Sequence, residues 1–209
     1  RAHRRDRDGL PVLHVLHLGL PVQLVQQAAL VVGDVQHTAA AAAVQAAREG
    51  KRVLLVEKSQ KLGGLATLGL VNVFVPMCNG RGKQIIFGMA EEMLRLAIKY
   101  GYGGIHPAFE NGRIPDEKLA EYKANGHQPP RYMTKFSAEI FALTLTELCH
   151  DAGVDIMFDS IVSRAVTTSE GGKTKILGVV LENKSGREYF TADMFVDATG
   201  DGDLMYRAG

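Results

Sequence analysis

The aliphatic residues of this chain gather into short runs separated by glycine-rich stretches, and the runs predict buried strands. AALVV, residues 28 to 32, reads as one strand and RVLLVE, residues 52 to 57, as a second, whose four consecutive aliphatics point to cover on both faces. Between them the alanine run from Ala39 to Ala47 predicts a helix that packs closely because its side chains are small, with Gly50 as its stop. Together these segments make one βαβ unit. Residues 59 to 82 are glycine-rich and irregular, and 84 to 100 turn helical, with Ile86, Met89, Ala90, Met93 and Ala97 along one stripe. The stretch 101 to 135 is long for a connection, and loops of that length are usually functional, disordered or part of an inserted lobe. A further helix is expected from about Ser137 to Asp151, ending at Gly153, followed by VDIMF, 154 to 158, as a third buried strand. SIVSRAVTTS, TKILGVVLEN and EYFTA, divided by turns at EGGK and KSGR, predict a three-stranded antiparallel meander. DMFVDATG, 193 to 200, then returns as a fourth parallel strand. The expected architecture is α/β, a parallel sheet interrupted by an antiparallel β-meander crossover.

Composition narrows the partners. A hydrophobic content of 46% and a net charge of +1, with no long block of one sign, argue against capture of nucleic acid or of an anionic membrane and for a small-molecule site. Residues 9 to 33 carry no formal charge, but Pro11, Pro21, two histidines and three glutamines interrupt them, so no membrane span is expected. Cys78 and Cys149 stand far apart without a CxxC, which fits a reducing, cytoplasmic setting. The first 50 residues lack Lys, Ile, Phe, Tyr, Met, Ser and Asn altogether. That break marks 1 to 27 as an atypical segment: a low-complexity leader, an oddly composed strand pair or, the favoured reading, a stretch out of frame. Residues 28 to 209 are then the amino-terminal part of a larger protein, with an insertion at about 70 to 135.

Three segments carry candidate chemistry. Glu57 ends the second strand, 24 residues beyond Gly33, close to where a dinucleotide fold puts the acid that grips the adenosine ribose. A carboxylate there can accept hydrogen bonds from both ribose hydroxyls, each worth about 1.5 to 3 kcal/mol. The competing reading is a solvent-facing acid paired with Lys58. Gly63, Gly64, Ala66, Thr67 and Gly69 form a run of small residues where backbone can pass near a flat ligand. In DATGDGD, residues 197 to 203, a strand finishing in Ala198, Thr199 and Gly200 puts backbone amides at the carboxyl edge of the sheet, where open α/β folds bind ligands. The alternative there is a tight turn with solvated aspartates.

RVLLVEKSQKLGGLATLGLVN, AGVDIMFDSIVSRAV with its meander, and FVDATGDGDLMYRAG together resemble the FAD-dependent oxidoreductases of the two-dinucleotide-fold flavoprotein superfamily, the group that includes fumarate reductase flavoproteins. The resemblance runs from about Ala39 to Gly209. It implies a Rossmann-like FAD-binding sheet with an inserted partial substrate lobe, FAD as cofactor, and hydride or electron transfer with a small organic substrate. It also implies that Glu57 holds the ribose and that Gly63, Gly64, Thr67 and Gly69 line the pyrophosphate and the approach to the flavin. Val162 would meet adenine through its backbone, and Ala198 to Gly200 would close over the cofactor, with Asp201 and Asp203 beside them. Gly33, Thr38, Ala39, Lys58 and Ala66 complete the candidate cofactor set. An electron-transfer partner or a homo-oligomer is the company such a protein would keep, and no catalytic residue is assigned.

The opening turn departs from the family. Its pattern is GxGxxG directly after the first strand, but here Gly33 is followed by Asp34, Val35, Gln36, His37 and Thr38. Val35 takes the second place, and Thr38 or Ala39 the third. A valine where pyrophosphate must approach backbone amides, with Asp34 beside it, opposes the preference of a helix N-terminus for anions. A bulkier third residue adds overpacking of about 1 to 3 kcal/mol. Weak FAD uptake is therefore expected, and a catalytically silent scaffold or an NAD-dependent enzyme are the rival readings. Other constellations fail on spacing. NGRGKQ, 79 to 84, lacks the Ser or Thr of a phosphate loop, and His14 and His17 have no acidic companion for a metal. Cys78 reads as a buried inert thiol rather than a redox group. Arg81, Lys83, His127, Arg131 and Tyr132 are the polar groups expected to reach a substrate.

Overall fold

The computed structural model describes residues 25–33 and 38–209, with 25–28 by backbone alone. The segment 1 to 24, including His14 and His17, and the turn Asp34 to His37, including Val35, lie outside the described residues. One compact unit combines the described residues up to Gln60 with Cys149–Gly209; a second comprises Lys61–Leu148.

The first unit is a sheet. Its strands are β1 (Val25–Gly33), β2 (Val53–Glu57), β3 (Asp155–Met157), β4 (Ile161–Glu170), β5 (Lys173–Asn183) and β6 (Gly186–Ala198), in the spatial order β3-β2-β1-β6-β5-β4. β3, β2, β1 and β6 run parallel, while β6, β5 and β4 form the antiparallel meander. Helix α1 (Thr38–Arg48) crosses from β1 to β2 and buries Ala39, Ala40, Ala43 and Val44. Successive strand residues point to opposite faces. One set, Leu30, Val32, Leu54 and Val56, packs with Val162, Ala165, Val179, Leu181 and Phe190 of the meander and with Leu204. Val31, Val53 and Leu55, fully buried as well, take the other face. β2 is therefore buried along its whole length, as its unbroken aliphatic run predicts.

Two expectations for this sheet need correction. EYFTA and DMFVDATG are not separate strands: β6 is continuous, pairing antiparallel with β5 through Gly186–Phe190 and parallel with β1 through Ala198. Nothing breaks the chain at Asp193, whose side chain simply faces solvent. VDIMF is not a buried strand but a three-residue edge, with Asp155 exposed and Ile156 and Met157 half-buried. A short edge strand carrying a charge resists pairing with other chains.

The second unit carries α2 (Met89–Ala97), α3 (Asp116–Ala124) and most of α4 (Ala138–Asp151), joined by irregular backbone. Phe74, Phe136 and Phe141 form its aromatic centre, with ring centroids 5.1 to 5.6 Å apart, within the 4.5 to 7 Å range of favourable ring pairs. The helix expected over 84 to 100 starts only at Met89. Gln84 is drawn into a bridge with Cys78, its amide donates to the Gly112 carbonyl at 2.8 Å, and Gly88 enters the helix at φ 67°. Ile86 consequently lies off the helical stripe and is exposed, while Met93 and Ala97 are buried as the pattern requires. Within 101 to 135, α3 occupies ground expected to be loop; Pro115 and the acids Asp116 and Glu117 at its start are ordinary helix-entry signals. α3 buries none of its side chains, which is why it left no hydrophobic stripe.

Candidate functional site

The carboxyl edge of the parallel strands gathers the first unit's candidate residues. In register, Gly33 pairs with Glu57 on one side and with Ala198 on the other, so the last residues of β2, β1 and β6 stand level. A β-carbon on Gly33 would strike the β-carbon of Ala39 and lie 3.7 Å from Glu57 Oε2. Glycine is therefore what lets the N-terminal end of α1 close on the strand. The eleven-residue helix brings its positive end to this edge, a setting that favours anions.

Glu57 is 2% exposed, which removes the reading of a solvent-facing acid. Its Oε1 accepts from the Ser59 amide at 2.9 Å and from the Ser59 hydroxyl at 2.6 Å. The backbone around it is tied down too: the Ser160 amide donates to the Glu57 carbonyl at 3.1 Å and the Asp159 amide to the Ser59 carbonyl at 3.2 Å. Asp159 presents those adjacent amides from a left-handed conformation, φ 50°, which Asp tolerates better than most residues. Ser160 is in turn held by Asn183, whose amide donates to its hydroxyl at 3.2 Å. Lys58 next to Glu57 is exposed, and Thr38 is exposed at the start of α1.

The turn after β6 is fixed by Asp197. Its Oδ1 accepts from the Thr199 amide at 3.1 Å and hydroxyl at 2.6 Å, and its Oδ2 from the Met205 amide at 2.9 Å. Burial pushes the Asp197 pKa up, but these donors and the Leu204 amide outweigh it and hold the carboxyl below the ordinary aspartate range. The Thr199 hydroxyl also accepts from the Asp203 amide at 2.8 Å, joining the strand end to the short helix α5 (Asp203–Ala208). Asp203 itself pairs with Arg207 at 2.9 Å. Gly200 and Asp201 are exposed. Val162 is buried in the core beside a register shift between Val162 and Arg164.

Gly63, Gly64, Ala66, Thr67 and Gly69 belong to a loop of the second unit. The loop is self-bonded: Ala66 donates to the Gly63 carbonyl, Thr67 and Gly69 to that of Gly64, and Val71 to that of Leu65. A β-carbon on Gly63 would meet Thr67 Cγ2 at 2.5 Å, and one on Gly69 would meet the Leu65 carbonyl at 2.8 Å. The buried Thr67 hydroxyl donates to the Leu62 carbonyl at 2.8 Å. Packing thus requires glycine at positions 63 and 69.

Among the polar groups expected to reach a substrate, Tyr132 is a correction. It is 2% exposed, and its hydroxyl lies 3.2 Å from Glu91 Oε1 and 3.1 Å from an Arg95 nitrogen, so it anchors α2 from within. Arg81, Lys83, His127 and Arg131 are exposed. In the NGRGKQ stretch the Asn79 side chain accepts from the amides of Arg81 and Lys83, a capped turn rather than a phosphate cradle. Cys78 is buried and accepts from the Tyr132 amide; burial pushes the Cys149 thiol up to about 12, so Cys149 offers no ready thiolate. Among the described residues no His, Cys, Asp and Glu cluster could hold a metal, and no helix is long and apolar enough to cross a membrane.

Ser59, Ser160 and Asp197 are the residues that sequence reasoning passed over. The signal was present in two of them: a hydroxyl two residues beyond a strand-end acid in EKS, and an acid two residues before a threonine in DAT.

A parallel sheet whose strand ends bracket a glycine and a buried acid defines a dinucleotide-binding α/β protein. The model of the FAD dependent oxidoreductase family matches residues 30–209, and the chain belongs to that family, whose cofactor is FAD. Among curated proteins none matches the chain significantly. Among solved structures it is similar to Thermovibrio ammonificans THI4, with a TM-score of 0.58 and 16% identity over 94% of this chain and 65% of that one. It is also similar to the p-nitrophenol 4-monooxygenase PnpA from Pseudomonas putida DLL-E4, with a TM-score of 0.53 and 14% identity over 88% of this chain and 43% of that one. A geranylgeranyl bacteriochlorophyll reductase-like protein from Thermoplasma acidophilum gives 0.51 and 17% over 90% and 43%. At these identities the likeness is one of fold. The chain spans less than two thirds of the length of each of these structures. The glycine against Ala39, the helix N-terminus and the buried carboxylate together suit the adenosine diphosphate portion of FAD, an anion next to a sugar diol.

Proposed function

We propose that this chain is the amino-terminal part of an FAD-dependent oxidoreductase acting on a small organic substrate, with residues 28–209 as its FAD-binding portion and an insertion at about 70–135. The observation that supports this most is the level row Glu57–Gly33–Ala198 across β2, β1 and β6, with the Glu57 side chain buried beside the glycine. When bound, FAD supplies the hydride or electron transfer, and the protein orients it. Glu57 accepts hydrogen bonds from the adenosine ribose. Gly33, Thr38 and Ala39 receive the pyrophosphate at the start of α1, and the backbone at Val162 meets adenine. Ala198, Thr199, Gly200 and Asp201 close the crevice on the β6 side, their turn held rigid by Asp197. The sequence departs from GxGxxG after Gly33, and that departure is the ground for weak retention of FAD.

Equilibrium dialysis against FAD tests both parts. Weak, saturable uptake that falls roughly ten- to hundredfold in Glu57→Ala is the expected result, the loss matching one hydrogen bond to a charged acceptor. Tight stoichiometric binding by the wild-type chain would overturn weak retention. Uptake indifferent to Glu57→Ala would overturn the site. A folded, colourless protein that takes up no FAD even at millimolar concentration would favour the scaffold reading.

A further inference from the structure

From the geometry around Glu57 we infer that Ser59 is a positioning residue for adenosine recognition: its amide and hydroxyl hold one carboxylate oxygen so that the other is turned toward Gly33. This rests on the reading of Glu57 as the ribose acceptor. Both Ser59 donors converge on Oε1, at 2.9 and 2.6 Å, while Oε2 lies 3.7 Å from where a β-carbon on Gly33 would stand. A glutamate has several rotatable bonds, and leaving them loose would cost binding free energy when a ligand had to order them. Here the side chain is buried and already oriented.

The hydroxyl is itself placed in advance. The Ser59 carbonyl accepts from Asp159, and the Glu57 carbonyl from Ser160, so both ends of the Glu57–Ser59 tripeptide are held by the segment that enters β4. The inference assigns Ser59 no contact with substrate or with the reacting atoms. Its effect passes through Glu57, and so it should be felt by ligands that carry adenosine and not by flavins that lack it.

Calorimetric titration with FAD and with flavin mononucleotide, which has no adenosine, separates the possibilities. Ser59→Ala should weaken FAD binding roughly tenfold, the lower end for losing one hydrogen bond to a charged group, and leave flavin mononucleotide binding unchanged. Ser59→Thr, which keeps the hydroxyl, should restore FAD binding to near the wild-type value. If Glu57→Ala weakens FAD selectively and Ser59→Ala does not, the role given to Ser59 is wrong while the ribose reading stands. If neither substitution discriminates between the two flavins, or the wild-type chain binds no FAD, the ribose reading fails and takes this inference with it. Equal weakening of both flavins by Ser59→Ala, unrescued by threonine, would mark Ser59 as merely structural and overturn the inference.

Discussion

Gly33 and Gly63 both stand where a side chain will not fit, but for different reasons. At Gly33 the obstacle is Ala39 of α1, and the neighbours that give the position meaning, Glu57 and Ala198, arrive by strand pairing from elsewhere in the chain. At Gly63 the main obstacle is Thr67, four residues on in the same self-bonded loop, with Leu145 of α4 also 3.2 Å from where a β-carbon would stand. The first kind of crowding seats a helix on a strand end; the second is mostly a turn closing on itself. Packing at Gly33 thus reports how distant elements are brought together, and packing at Gly63 mainly how one loop is closed.

Substitutions can break or sharpen that contrast. The largest effect is expected in the second unit's aromatic centre, where Phe141→Ala removes a fully buried ring from contact with Phe74 and Phe136. A loss of about 3 to 5 kcal/mol should appear in urea denaturation followed by amide exchange at Leu94 and Leu145.

Next comes Asp197→Asn. The Met205 amide would face either an amide nitrogen or a displaced oxygen, and a loss of about 1.5 to 3 kcal/mol is expected for hydrogen bonds to a charged group. The pH dependence has a definite sign. Because the folded-state pKa of Asp197 is depressed, its stabilisation is complete above the ordinary value of 3.8 and is lost as pH falls through the lower, folded value. The stability difference between wild type and Asp197→Asn should therefore shrink in acid below that point; a constant difference would remove the carboxylate from the account.

Gly33→Ala should cost about 1 to 3 kcal/mol by overpacking against Ala39 and should abolish FAD uptake together with protection of the β1 amides. If the variant keeps its FAD, the crevice does not depend on that contact. The smallest effect belongs to Glu139→Ala, which removes an exposed ion pair to Lys61 and should change stability by about 0 to 1 kcal/mol, decreasing with added salt.

The βαβ unit was legible because buried strands and a small-residue helix write themselves as uninterrupted runs: VLLV for β2, and the alanines that Gly33 packs against. β6 was not legible as one strand, since it changes partner midway and Asp193 looks like a break although its side chain only turns to solvent. α2 was overextended because Ile86 kept the helical spacing while Gln84 and Gly88 committed the backbone to other bonds. At the candidate site Glu57 could be named from its place at a strand end, but the bonds around it could not, since they come from Ser59 and from the amides of Asp159 and Ser160 a hundred residues away. Tyr132 misled in the opposite direction. An aromatic hydroxyl in a loop-like stretch reads as available, yet this one closes a network with Glu91 and Arg95.

The pairing of β1 with β6 has a consequence for how the protein is made. Val25 meets Phe190 and Gly33 meets Ala198, so on a ribosome the first strand of the sheet must wait for nearly the last residues of this chain to emerge. Until then β1 offers β2 one flank and leaves the other as an open ladder of amides and carbonyls, the kind of edge that recruits other chains. Premature termination anywhere before β6 should thus yield a sticky intermediate rather than a smaller working domain.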